Sequence, residues 1–264
     1  MITLRAGRAA VVVDQQAGGR LASLTVDGTE LLVTSGRSPL DWGCYPMAPW
    51  AGRVRHGRFH FGGVEHQLPL DLPPHAIHGT VYRRPWSASG DGFAVVLTTD
   101  LGPDGPFSGR VEQRVDLAPD ALHLRLTVEA DEPFPATAGW HPWFRRRLDR
   151  GGPVELDVPA TLLWRRDADG IPSGELVPPP WPPPGSTDDC FTGLTGPPVL
   201  RWPGALDLTV EATAEHVVVF DEPDDAVCVE PQTGPPDALN LGAPVVVPGM
   251  PLVTECTLRW RRAA

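Results

Sequence analysis

Apolar positions along this chain recur every second residue. Leu122, Leu124, Leu126 and Val128 alternate with His123, Arg125, Thr127 and Glu129. Side chains of an extended strand point to opposite faces in turn, so this run predicts a strand with one buried side. Val111, Gln113, Val115 and Leu117 precede it, and the intervening Ala118-Pro119-Asp120-Ala121 supplies a turn. Near the end, Leu252, Thr254, Cys256, Leu258 and Trp260 alternate with Val253, Glu255, Thr257 and Arg259. Phe59 and Phe61 lead into Gly62-Gly63, and Val64 to Leu68 return, which predicts a hairpin. Asp27-Gly28 joins residues 21–26 to residues 31–33 in the same way. Further strands are predicted at 10–13, 93–99, 206–211 and 216–220. No apolar stripe of helical period runs beyond two turns.

Many antiparallel strands with short turns predict an all-β sandwich. The 264 residues fit one large β domain or two small ones. Strand patterning continues on both sides of the proline run Pro178 to Pro184. A single domain over residues 1–264 is therefore expected, with that run as a stiff loop. A hydrophobic share of 41% at this length allows a core without cross-links.

Charge and residue types narrow the chemistry. The net charge of −11 argues against nucleic acid and anionic membrane surfaces as partners. No apolar N-terminal run resembles a signal peptide and no window spans a bilayer, so a cytoplasmic protein is expected. The four cysteines, Cys44, Cys190, Cys228 and Cys256, are widely spaced in apolar contexts and are expected as free core thiols. All 22 basic residues are arginine, which excludes lysine Schiff bases, pyridoxal phosphate and a P-loop. No Gly-x-Gly-x-x-Gly follows a strand, and no Gly-x-Ser-x-Gly occurs. His56, His60, His66, His75 and His78 lie close in sequence, with His56 and His60 expected on one strand face. No carboxylate joins them in a metal motif, so no metal is expected.

The stretch Ala226 to Asn240 carries the most information. Val227 and Val229 fall on one strand face, Cys228 and Glu230 on the other. Pro231 has no N–H for a ladder, so the strand is predicted to end there. A carboxylate held at a rigid strand end suits a general base, although a glutamate taken alone is more often a solvated surface residue. Ala138-Gly-Trp-His-Pro-Trp-Phe144 centres His141 among aromatic residues. His75-Ala-Ile-His-Gly-Thr-Val81 and Pro49-Trp-Ala-Gly-Arg-Val-Arg-His-Gly-Arg-Phe59 add His78 and Arg53.

In order, Arg53, His78, His141 and Glu230 resemble the aldose 1-epimerase (mutarotase) family, over about residues 41 to 241. That family shows a Pro-x-x-Asn-Arg-Ile-x-x-Gly-Arg-Phe-like segment, a His-Gly pair, an x-His-Pro-Tyr-Phe-like segment, and a Glu-Pro-Gln-Thr-like segment followed by Asn. The resemblance implies a large twisted antiparallel β-sandwich with its site in a cleft on a concave face. It implies a small-molecule sugar as partner and no cofactor or metal. It carries Glu230 over as base at the sugar C1 hydroxyl and His141 as acid at the ring oxygen. His78 then binds the ring-oxygen side and Arg53 holds hydroxyls. Asp188, in Asp188-Asp-Cys-Phe191, matches the family's Asp-His-x-Phe/Tyr segment and would accept from hydroxyls. Gly52 replaces the usual Asn and Asp189 the usual His. Trp50, Trp86, Trp140 and Trp143 suit either sugar faces or the core. The departures keep a non-catalytic sugar-binding domain open as an alternative. Arg83, Arg84 and Arg145 to Arg147 motivate another, a hexose-6-phosphate mutarotase. A glycoside hydrolase would need two flanking carboxylates and ranks behind both. Monomer and dimer are equally compatible with the sequence.

Overall fold

Period-two alternation sorts the chain into two large antiparallel sheets. The computed structural model describes residues 1–90, 92–179 and 187–263. Most of the proline run lies outside the described residues. The larger sheet has eleven strands. Its centre runs Arg20–Val26, Cys44–Met47, Gly139–Arg145, Ala226–Gln232, His216–Phe220 and Asp188–Leu194, each beside the next. The second sheet has eight strands and is built around Gly109–Leu117, Ala121–Ala130, Leu252–Arg262 and Leu206–Ala212.

The strand Ala121–Ala130 buries Leu122, Leu124, Leu126 and Val128 and exposes His123 and Arg125. Val11, Leu24, Val219, Val227 and Val229 of the larger sheet join Val111, Leu124, Leu208 and Leu258 of the second in one apolar cluster. The buried faces of the two sheets thus form a sandwich core. The hairpin across Gly62-Gly63 forms as the turn residues predict, with both glycines at positive φ, and the one across Asp27-Gly28 forms with its return strand at Thr29–Glu30 instead of residues 31–33. All four cysteines are buried free thiols. Among the described residues, no helix is long and apolar enough to cross a membrane.

Two further expectations are corrected. The strand carrying Glu230 does not end at Pro231 but runs from Ala226 to Gln232, with Pro231 opposite Val217. On its other side the strand pairs with Gly139–Arg145 at Gly139–Gln232 and again from Trp143–Cys228 onward. Pro142 and Pro231 fall in the interval between those pairs, so the ladder is interrupted there and resumes beyond them while the strand itself continues. The second correction concerns His56 and His60, which share no strand face. His56 sits in a short 3-10 turn at φ 51°, and His60 lies in the following strand, Arg58–Phe61. The close-spaced histidines also disperse: His56 faces His75 at 5.4 Å, His66 stacks on Phe59 at 4.9 Å, and His78 turns elsewhere.

Candidate functional site

Opposite to the sandwich core, the larger sheet carries a second, smaller apolar cluster that includes Tyr45, Trp143 and Cys228. Val227 and Val229 point into the core, so Cys228 and Glu230 must point to this outer face. The register then aligns side chains across strands. His141 pairs with Tyr45, and Glu230 pairs with Val218. Since Gly139 faces Gln232 and Trp143 faces Cys228, His141 falls opposite Glu230. One row across the sheet therefore reads Tyr45, His141, Glu230, Val218. The adjacent row reads Trp143, Cys228, Phe220, Asp188. These rows floor a cavity of about 270 Å³, near the lower end of the range usual for small-molecule sites.

Its walls come from the segment around residues 52–78. Arg53–Val54 pairs with Ala76–Ile77, which sets Arg53 and His78 side by side. The His78 N–H donates to the Gly52 carbonyl at 3.0 Å, and the Gly52 N–H donates to His78 Nδ1 at 3.2 Å. An accepting Nδ1 places the proton of the neutral ring on Nε2, so His78 acts as a donor from that nitrogen. Asp237 ties this wall to the C-terminal motif. Its N–H donates to the Arg53 carbonyl at 2.6 Å, and its carboxylate accepts from the Arg55 N–H at 2.9 Å. Asn240 donates to Asp237 at 2.8 Å and to the Arg58 carbonyl at 2.9 Å. The separated sequence motifs are thus one contiguous piece of structure.

All five residues expected at the site line the cavity: Arg53, His78, His141, Asp188 and Glu230. Nε2 of His141 lies 3.2 Å from Oε1 of Glu230, with both side chains almost fully buried. The rings of His78 and His141 meet edge-on at 5.0 Å. Arg53 donates to Asp188 at 2.8 Å. Arg166 lies 3.9 Å from Asp188 and pairs with Asp189 at 2.7 Å, so it braces the Asp188 segment. Gly52 has φ +70°, and a Cβ there would come within 2.8 Å of Pro236. The departure from Asn thus accompanies a proline packed into the space a side chain would fill.

Burial sets the protonation of the pair. It raises the Glu230 carboxyl well above its ordinary value, with Asp188 adding to the effect and Arg53 opposing it. It pushes the His141 imidazole down to about 3, with Arg53 and Arg20 contributing; contact with its own backbone opposes this. His78 is driven well below 6.5 by burial, then by His141 and Arg53. The free site thus favours a carboxylic acid beside a neutral imidazole, with one proton between them. His78, His141 and Glu230 offer ligand atoms within 4.8 Å of one another. With the proton of His78 placed on Nε2, that nitrogen has no lone pair for an ion, and the trio fits a hydrogen-bonding site better than a metal centre.

A pH effect on stability follows. Unfolding lets each histidine take a proton at its ordinary pKa near 6.5. The stability tied to neutral His78 and His141 is complete above that value and is lost as pH falls, for His141 down to about 3. Glu230 works in the opposite sense, with a contribution fullest in acid that declines as pH rises through its raised pKa. His78→Gln removes one imidazole alone. Between about pH 7 and pH 5, wild type should lose about 2 kcal/mol more than this variant in urea unfolding. Equal losses would mean His78 is not held neutral.

Sequence reasoning missed several residues. Tyr45 stacks on His141 at 4.9 Å, and Phe220 meets Trp143 edge-on at 5.8 Å. Neither sits in a motif, and only the cross-strand register reveals them. Of the four tryptophans, Trp143 alone lines the cavity; Trp50, Trp86 and Trp140 are at most 2% exposed and fill the core. Arg20 was also unmarked. It is 1% exposed and donates to the carbonyls of Ala17, Pro39, Trp42 and Tyr82, with its guanidinium 4.2 Å from the Trp42 ring centroid. It therefore anchors the loop that brings Ser38, Leu40 and Asp41 to the cavity. Arg20→Met should cost about 3 kcal/mol in urea unfolding, because it strands buried carbonyls, and should raise the KM of any sugar turned over. An unchanged unfolding midpoint would refute the anchor.

Four of the arginines considered for phosphate, Arg83, Arg84, Arg145 and Arg146, are engaged away from the cavity. Arg83 pairs with Asp71, and Arg84 lies 3.5 Å from Asp104. Arg145 donates to the Leu32 carbonyl, and Arg146 to those of Asp221, Pro223 and Ala226. Arg53 is the one arginine among the described residues that lines the cavity.

Comparison with known proteins agrees with this architecture. A family model described as aldose 1-epimerase matches residues 1–240. The uncharacterized Escherichia coli K12 protein YphB is 32% identical over 151 residues, which cover 54% of this chain and 51% of YphB. The chain spans about half the length of the curated relatives it matches. The crystal structure of a candidate aldose 1-epimerase from Escherichia coli K12 superimposes with a TM-score of 0.87 at 24% identity, covering 99% of this chain and 98% of that one. Galactose 1-epimerase from Lactobacillus acidophilus NCFM gives a TM-score of 0.81 at 20% identity, covering 99% and 94%. At these identities the structures share the fold, a galactose mutarotase-like sandwich.

Proposed function

The chain belongs to the aldose 1-epimerase family, and from that premise we propose that it interconverts the α and β anomers of a free aldose. The observation that carries this reading is the buried contact of Glu230 with His141, 3.2 Å apart on the cavity floor. Mutarotation needs one base and one acid acting on the same hemiacetal. The shared proton first passes from Glu230 to His141 across their contact, and Glu230 as carboxylate then takes the C1 hydroxyl proton while the C1 to ring-oxygen bond breaks. The ring oxygen takes a proton from His141. The open-chain aldehyde is then held beside a protonated Glu230 and a neutral His141, the state the free site favours. After C1 turns over, the ring oxygen attacks the opposite face of the carbonyl and returns its proton to His141. Glu230 reprotonates the C1 oxygen. The pair ends with the proton it began with, so the reaction leaves the enzyme ready for the next sugar.

Arg53, Asp188 and His78 hold the sugar in this scheme. The Arg53 fork and the Asp188 carboxylate present a donor and an acceptor to neighbouring hydroxyls. His78 presents its Nε2 proton to the ring-oxygen side. The test is anomer exchange by saturation-transfer NMR, with a panel of aldoses at catalytic protein concentration. Exchange faster than the spontaneous rate for at least one aldose supports the reading. Spontaneous rates throughout, with a folded protein, reject it.

A further inference from the structure

The reaction cycle needs an imidazolium that the free site disfavours. A proton must pass from Glu230 to His141 before the ring oxygen can receive one, and that transfer makes a buried cation. Burial, Arg53 and Arg20 all oppose a charge on this ring. A catalytic histidine commonly gains support from a carboxylate at its second ring nitrogen. Here Nδ1 of His141 is buried without a hydrogen-bond partner, and the backbone contact of the ring is with its own residue. The other titratable groups around the imidazole are Glu230 at Nε2, His78 edge-on and Cys228 in the adjacent row, while Asp188 is bound to Arg53. Of these, Glu230 pairs with the cation. Its negative charge is given up as it takes the C1 proton, so its support fades while the bond to the ring oxygen breaks.

Two aromatic rings stand where that carboxylate is missing. Tyr45 is the cross-strand partner of His141, and Trp143 follows it by two residues on the same strand, so all three leave the sheet on one face. The phenol ring stacks on the imidazole at 4.9 Å and 26°, and the indole at 5.4 Å and 8°. A cation within about 6 Å of an aromatic face is attracted by the ring quadrupole, most strongly where water is excluded. Both rings are fixed in this contact. The Trp143 N–H is buried without a partner, a cost that a buried indole rarely carries. Phe220 meets the same indole edge-on at 5.8 Å. The Tyr45 hydroxyl donates to the Leu40 carbonyl at 3.1 Å. Burial raises the Tyr45 phenol well above its ordinary pKa, so it stays neutral beside the histidine.

We infer that Tyr45 and Trp143 are positioning residues whose π faces stabilise the His141 imidazolium, in place of an orienting carboxylate. The inference rests on the mutarotase reading of the same site. Its test uses the aldose that wild type accelerates most. Fluorine on an indole drains negative charge from the ring face and hardly changes its shape. Protein made with mono-, di- and trifluorinated tryptophan should lose kcat in steps, by about 10-fold in all, with KM level. The labels should have no effect in the Trp143→Phe background, which isolates position 143. Tyr45→Leu should lower kcat by about 10-fold, and Tyr45→Phe, which keeps the face, should recover it to within about threefold. Rings that only pack would leave kcat flat across the fluorine series, with any loss in the Leu variant following its urea midpoint. That result overturns the inference and leaves the mutarotase reading standing. Turnover of no aldose by folded wild type rejects the mutarotase reading and this role with it.

Discussion

Glu230→Gln should lower kcat for anomer exchange by about 10²- to 10⁴-fold, the span typical of a lost general base. Gln has the shape of Glu and can still meet His141, but it cannot take a proton from the C1 hydroxyl. KM should move little, because Arg53, Asp188 and His78 still hold the sugar. Stability should stay level or rise. Glu230 is 2% exposed, and a buried carboxyl that must ionise to act is a cost to the folded state. Activity falling while the urea midpoint holds would separate a chemical loss from a folding loss. Wild-type turnover in this variant would remove Glu230 from the mechanism.

Gly79→Ala should destabilise the protein by about 3–5 kcal/mol, among the largest single-residue effects on this fold. Gly79 has φ +77°, in the region L side chains avoid, and a Cβ would come within 1.9 Å of the Ala48 carbonyl oxygen. Relief requires moving backbone, since Thr80 N–H donates to that same carbonyl at 2.9 Å. His78 also sits at positive φ, 57°. The His-Gly pair is thus a tight crossing of two chain segments, and it delivers the imidazole into the cavity. A shift in thermal or urea midpoint below about 1 kcal/mol would contradict this account.

The two variants probe different kinds of residue. Glu230 is a buried polar group maintained at a thermodynamic cost, which points to use. Gly79 makes no contact with the cavity, and its requirement is steric. Both stand in the segments that carried the family resemblance, so a shared motif mixes residues that react with residues that allow the backbone through.

What the sequence determined by itself was local. Alternation located the strands at 111–117, 122–128 and 252–260, and Asp27-Gly28 and Gly62-Gly63 marked two other hairpins, because strand period and turn geometry are set by near neighbours. It placed Glu230 on the face away from Val227 and Val229, and the ordered motifs marked Arg53, His78, His141 and Asp188. Tertiary structure decided the rest. Whether Pro231 ends its strand depends on what lies across the ladder, and the prolines at 142 and 231 share one interruption of the pairing, which resumes on both sides of it. Whether a tryptophan meets ligand or core depends on which side of the sheet it takes; Trp140 and Trp143, on one strand, take opposite sides. The contact between His141 and Glu230 exists because two distant strands pair in one register. A one-residue slip would turn either side chain to the other face. That register also brings in Tyr45 and Phe220, which nothing in their local sequence distinguishes. Period is written in short windows of sequence, whereas register is fixed by the packing of the whole sheet, so the strands were legible in advance and the cavity they build was not.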